Sequence, residues 1–237
     1  MASSGIAVAE DALVWRVGRA PDPWAWVDRS YAGRNRWDDA NGVFRTIYAG
    51  DSLYACFVEL LAYARPDVGL DGSDLLAGIV EDPADAVEYP VSAAGALPRD
   101  WIQARMVASA KLTGSFADVR SSEMIAALRP QFVQLAHRLG YHDFDAAAVK
   151  SAQHRALTQQ VASYLYTLVS DHGVFLYDGI RFASRHGDDL VLWAIFERAG
   201  DEPASQHLQQ TGTPCLVDLS DKELNKAMSL HHLSWLP

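Results

Sequence analysis

The segment from residue 33 to residue 63 constrains the chain most. A polar loop bounded by Gly33 and Gly42 carries Arg34, Arg36 and Trp37, and it passes into the apolar run Thr46-Ile47-Tyr48-Ala49. Apolar residues at 53, 56, 57, 60, 61 and 64 then repeat at helical spacing, with Asp51-Ser52 as an N-cap and Arg65-Pro66 as the stop. Glu59 is the acid on that helix. A carboxylate on so apolar a helix needs a charged or hydrogen-bonding partner if it is buried. A loop guanidinium, a strand-end phenol and a lone carboxylate together suit a small anionic ligand and a bond-breaking step.

The rest of the chain reads as short strands interleaved with a few substantial helices. Residues 13–17 alternate and form a first strand, preceded by a flexible segment over 1–12 and followed by a loop opened by Pro21 and Pro23. Trp24 and Trp26 in that loop either pack on the core or wall a cleft. Residues 33–42 are rich in turn formers and predict a structured loop, with a second strand over 44–49. Residues 67–85 are rich in Gly, Asp and Pro and read as a short helix or an insertion that extends to residue 96. Strands are expected over 87–91 and 104–109, the latter beginning as early as Trp101-Ile102, with a turn at Gly114. A helix over 121–139 is expected to split or kink at Pro130 and to end at Gly140. The longest helix spans 146–170, followed by strands over 174–177 and 180–185, a central strand over 189–196 and a last strand over 214–219. A terminal helix capped by Ser220 or Asp221 runs to Met228. The architecture this predicts is one mixed α+β domain over 13–237, with residues 199–237 as a C-terminal extension.

Composition removes several classes of function. Of 237 residues, 49% are hydrophobic and 21% charged, which supports a continuous core. A net charge of −10 repels phosphate backbones and weighs against direct nucleic-acid binding, while leaving room for a small phosphorylated ligand at a local arginine cluster. Cys56 and Cys215 give no disulfide framework and fit a reducing compartment. The first residues do not read as a signal peptide, and no run approaches a membrane span, so a cytoplasmic protein without membrane attachment is the expectation. The histidines at 137, 142, 154, 172, 231 and 232 form no compact ligand set, so no metal is expected.

No P-loop or dinucleotide glycine fingerprint is present, so side chains must hold any phosphates. If the loop is extended, Arg34 and Arg36 share one side and grip a diphosphate, with Trp37 facing the core; otherwise they are surface cations balancing Asp38 and Asp39. Arg181, Ser184 and Arg185 form a second polar interruption between β-like runs. Ser184 either meets a phosphate or ribose hydroxyl or caps a turn, and it lacks the surroundings of a nucleophile elbow.

Three pieces in this order carry a resemblance: Gly33 to Asp39, then Thr46 to Ala49 with Ala55 and Glu59, then Val174 to Arg185 with Tyr177, Ser184 and Arg185. Over residues 14–197 the chain resembles the RES-domain family, named for its Arg, Glu and Ser. The resemblance implies a compact α+β fold similar to that of ADP-ribosyltransferase toxins. It also implies toxins that consume NAD by phosphorolysis of the nicotinamide-ribosyl bond or by modifying a protein, held inactive by an Xre-like helix-turn-helix antitoxin.

Carried onto this chain, Arg36, Glu59 and Ser184 match the three name residues, and Tyr48 matches a recurrent strand-end aromatic. These four are the expected catalytic set. Arg34, Arg36, Trp37, Tyr48, Ser184 and Arg185 are the expected NAD-binding set. The expected activity is an NAD phosphorylase that uses inorganic phosphate and gives nicotinamide and ADP-ribose-1''-phosphate. Protein ADP-ribosylation, NAD hydrolysis and a non-catalytic ligand-binding module are the alternatives.

Overall fold

A computed structural model describes residues 5–66 and 95–236. The strand expected over 87–91 and the helix or insertion expected from residue 67 lie outside the described residues, apart from the last two positions of that insertion. In chain order the elements are β1 (Ile6–Arg19), β2 (Thr46–Gly50), α1 (Leu53–Leu61), β3 (Ala96–Leu97), α2 (Arg99–Gln103), β4 (Arg105–Asp118), α3 (Ser122–Arg138), α4 (Ala146–Lys150), α5 (Arg155–Thr167), β5 (Gly179–Ser184), β6 (Gly187–Phe196), β7 (Leu208–Leu216), α6 (Lys222–Leu230) and β8 (Ser234–Trp235).

Six strands form one sheet in the order β1-β2-β6-β5-β4-β7, and β1 also pairs with β4. The pairings β1–β2–β6–β5–β4–β1 therefore close a five-stranded ring, with β7 added on the outside of β4. Inside lies an apolar set that includes Val14, Ile47, Leu112, Phe116, Trp193 and Ile195. The opposite faces of β2, β5 and β6 pack Phe182, Leu192 and Ala194 against Phe57, Leu61, Leu157 and Leu165 of α1 and α5. This two-sided burial explains why β6 is apolar almost throughout, and it places the strand expected over 189–196 near the middle of the sheet. β3 and β8 form a separate two-stranded parallel pair.

Several expectations need correction. Residues 6–12, read as part of a flexible segment, are the first half of β1 and pair with β4 from Ile6↔Ala117 onward. Their alternation is masked because Glu10 and Asp11 lie at an irregularity between Ala9 and Ala12. Gly114, read as a turn, lies within the 14-residue strand β4. Its glycine serves a close approach, since a Cβ there would stand 2.7 Å from the Asp178 Oδ2 that accepts the Ser115 N–H. Trp101 and Ile102 belong to α2 and not to a strand. β7 begins six residues earlier than the expected 214. It is an edge strand whose polar residues face outward, so it carries no apolar alternation.

The helices differ as well. α3 is continuous through Pro130, because Met124, Leu128, Phe132 and Ala136 keep one buried stripe across that position and outweigh the lost hydrogen bond. The long helix expected over 146–170 is two helices separated at 151–154. The Ser151 hydroxyl accepts the Gln153 N–H at 3.1 Å and so competes with helical pairing. The Val149 carbonyl accepts instead from the Arg36 guanidinium at 2.7 Å. Residues 174–177 form only an isolated bridge, Val169↔Phe175. Arg198 binds the carbonyls of Tyr166 and Tyr177 at 2.8 and 2.5 Å, tying this segment to the end of α5 rather than to the sheet.

Trp24 and Trp26 pack on the interior of the ring, and Trp26 donates its indole N–H to the Asp201 carbonyl at 2.6 Å. α6, capped by Asp221, packs Leu224, Ala227 and Met228 into the larger core. His231 follows it and meets the Val58 carbonyl on α1 at 2.8 Å.

Candidate active site

The site forms where the 33–42 loop, β2, α1 and the end of β5 converge. The loop is a folded turn, not an extended segment. Asp38 accepts the Asn35 N–H at 2.9 Å, and the Asp38 N–H closes back on the Asn35 carbonyl at 3.3 Å. α5 holds the loop from behind. Gln159 donates to the Gly33 and Asn35 carbonyls at 2.8 and 3.1 Å, Arg155 donates to the Arg34 carbonyl at 2.6 Å, and Ser163 donates to Asp39 at 2.6 Å.

The turn separates the two arginines. Arg34 stacks over Tyr31 at 4.5 Å and donates to the Ser30 carbonyl, whereas Arg36 lies 5.6 Å from the Trp37 ring and 5.8 Å from Phe182. The expected side-by-side grip on a diphosphate fails because alternation requires an extended backbone, which the Asn35–Asp38 turn denies. Burial lowers the Arg36 pKa first, the charges of Glu59 and Tyr48 oppose that shift, and Arg185 adds to it. Arg36 remains a cation at neutral pH.

Trp37 is fully buried, 5.6 Å from Phe182, and presents no surface to a ligand. The expectation that it binds NAD directly is corrected: its ring builds the floor under Arg36. Tyr48 donates its hydroxyl to Asp38 at 2.8 Å and accepts the Trp37 N–H at 3.0 Å. Burial first, and then the Asp38 carboxylate, pushes the phenol well above its usual range. The hydroxyl is therefore a fixed donor, and the half-buried ring edge stands 6.3 Å from Phe182.

Glu59 is half-buried on α1 and accepts a short hydrogen bond from Ser184 Oγ at the end of β5. Ser184 is itself buried, and its oxygen also accepts the His186 N–H at 2.8 Å. With that hydroxyl committed to Glu59, direct contact of Ser184 with ribose or phosphate is not what the geometry offers; it positions the carboxylate. Arg185 is exposed, and its Nε approaches His186 Nε2 at 3.4 Å. His186, Arg65 and His231 also stand here; sequence reasoning reads Arg65 only as a helix stop and His231 as a non-ligating histidine, and passes over His186. The available signal was the unbroken run Ser184-Arg185-His186. Nothing local in the sequence brings Arg65 or His231 to it.

A cavity of about 260 Å³ opens beside Arg36, lined also by Arg120, Val149, Lys150, Phe182 and Asp188. Arg120 holds Asp118 through two hydrogen bonds of 2.8 Å, and Lys150 pairs with Asp188. Enclosing a whole drug-sized ligand takes roughly 300–1,000 Å³. At about 260 Å³ this cavity falls just short of that range. Among the described residues no group of three or more His, Cys, Asp and Glu is arranged to hold a metal ion, and no helix is long and apolar enough to cross a membrane.

The sequence model described as the RES domain matches residues 13–218. No curated protein matches the chain. Among solved structures, one chain of the crystal structure of the M. tuberculosis MbcT-MbcA toxin-antitoxin complex matches with a TM-score of 0.50 and 14% sequence identity. The match covers 96% of this chain and 93% of that one, so the likeness is one of fold.

Proposed function

The chain belongs to the RES-domain family, and from that premise we propose that it is a toxin-type enzyme that consumes NAD by phosphorolysis. The supporting observation is the Glu59 carboxylate, held by Ser184 and acting electrostatically on Arg36, which in turn lines a cavity of about 260 Å³. Arg36 holds the diphosphate, and the edge of Tyr48 borders the nicotinamide end.

As the bond between nicotinamide nitrogen and ribose C1'' breaks, its electron pair neutralises the pyridinium and leaves positive charge on the ribose. Glu59 stabilises that charge electrostatically, which requires a carboxylate fixed in place beforehand. Phosphate oxygen then bonds to C1'', giving nicotinamide and ADP-ribose-1''-phosphate with no oxidant or metal.

The fold shared with a chain of a toxin-antitoxin complex supports a cognate antitoxin as partner, and the family resemblance adds the Xre-like helix-turn-helix kind. Nicotinamide release from NAD by the purified protein, dependent on added phosphate, tests this function. Release that ignores phosphate would make the enzyme a hydrolase, and ADP-ribose found on added protein would make it a transferase. No release would leave a ligand-binding module.

A further inference from the structure

Beside Ser184, the adjacent Arg185 and two basic residues from distant parts of the chain, Arg65 and His231, crowd the His186 imidazole. His186 Nδ1 lies 3.2 Å from Arg65 Nη1, and His186 Nε2 lies 3.4 Å from Arg185 Nε. The rings of His186 and His231 stand edge to face at 5.6 Å. A neutral imidazole has one N–H and one lone pair, so it accepts from only one of these guanidiniums. At its other nitrogen two N–H groups face each other, and protonating the ring would make both contacts donor against donor. Burial first, followed by Arg185, His231, Arg65 and Arg36, accordingly pushes the imidazole down to about 4. His231 adds no donor to this surplus. Its Nε2 meets the Val58 carbonyl at 2.8 Å and so carries the proton, which leaves the buried Nδ1 without a partner.

An excess of donors around a neutral ring is what an oxyanion relieves. We propose that Arg65, Arg185 and His186 form a subsite for a phosphoryl oxyanion, adjoining Glu59 through Ser184. An oxygen between a guanidinium and the imidazole accepts from both, replacing the donor–donor contact with two charge-assisted bonds. Arg65 and Arg185 are both exposed, so the subsite is open to solvent. It is a local cationic cluster on a chain of net charge −10. The inference rests on the phosphorolytic reading for the subsite's role as the seat of the co-substrate; the binding itself rests on these contacts alone.

The test follows the His186 ring resonances of the full-length protein by NMR across pH, with inorganic phosphate in one arm and ADP in the other. No turnover is involved, so its outcome is separate from that of the NAD assay. Bound phosphate is expected to raise the His186 midpoint by about one unit or more, because a nearby anion favours the imidazolium. Arg65→Gln and Arg185→Gln, both at exposed positions, are each expected to weaken phosphate binding by about tenfold, the loss of one charge-assisted contact. A response to phosphate places the free ion in the subsite, and a response to ADP alone assigns it to a nucleotide phosphoryl group. A midpoint moved by neither probe, or binding unaltered in both variants, would overturn the proposal.

Discussion

Ser184, the last residue of β5, donates its hydroxyl hydrogen to Glu59 on α1, joining two residues 125 positions apart. The same oxygen accepts the His186 N–H, so one buried hydroxyl aligns the carboxylate and the turn that follows the strand. A carboxylate on a helix has several rotamers, and this bond selects one of them.

Ser184→Ala is expected to lower kcat by about 10- to 100-fold, which corresponds to about 1.5–3 kcal/mol for a hydrogen bond to a charged group. KM for NAD is expected to change little, because the hydroxyl orients Glu59 rather than touching substrate. Steady-state kinetics separate the two parameters. A raised KM with unchanged kcat would instead assign Ser184 to ligand binding.

Gln159 spends both hydrogens of its amide on the carbonyls of Gly33 and Asn35, at the start of the arginine loop. Gln159→Leu removes this donor from the Gly33 carbonyl and leaves the Asn35 carbonyl with only the 3.3 Å bond from the Asp38 N–H, and it is expected to destabilise the fold by about 1–3 kcal/mol. It should also raise the NAD dissociation constant severalfold, since Arg36 loses its fixed mounting. Urea denaturation and calorimetric titration measure the two effects. Unchanged affinity in a destabilised variant would show that the loop does not need α5 for its register.

Stability should also respond to pH through the two site histidines. Burial is the first cause lowering both His186, to about 4, and His231. An unfolded histidine titrates near roughly 6.5. Between these values the unfolded chain binds more protons than the folded one, so stability is complete above about 6.5 and is lost as pH falls toward 4. The urea midpoint is expected to drop between pH 7 and pH 5, and to drop less in His186→Asn. Because His186 is only half-buried, solvent screening reduces its share. A flat midpoint over that interval would contradict the assignment.

What was legible in the sequence follows from how local each signal is. Ser52 capping α1, the turn-rich 33–42 loop and the apolar run of β6 are each determined by neighbours within a few residues, and each appears where the pattern placed it. Of the break at 151–154 only the Ser151 hydroxyl competing for the Gln153 N–H is a local signal; the Val149 carbonyl is taken by Arg36 from 113 positions away. Gly114 read as a turn since its partner, Asp178, is also remote in sequence.

The site shows the same division. Arg36, Tyr48, Glu59 and Ser184 are named together through the family resemblance, and the fold brings them near one another. That Ser184 would be buried and already bonded to Glu59, and that Arg34 would turn away over Tyr31, depended on tertiary packing. Arg65 was legible only as a helix stop, and His231 only as one of several isolated histidines.

The central claim is that Glu59 stabilises charge on the ribose as the nicotinamide bond breaks. It is tested most directly by a mass-resolved time course of NAD with the purified protein, with and without inorganic phosphate, repeated for Glu59→Gln. We predict phosphate-dependent nicotinamide and ADP-ribose-1''-phosphate from the native protein. In the variant NAD binding should persist while turnover falls by about 100-fold or more, as when one preorganised electrostatic contact is removed. Equal turnover by Glu59→Gln would contradict the account.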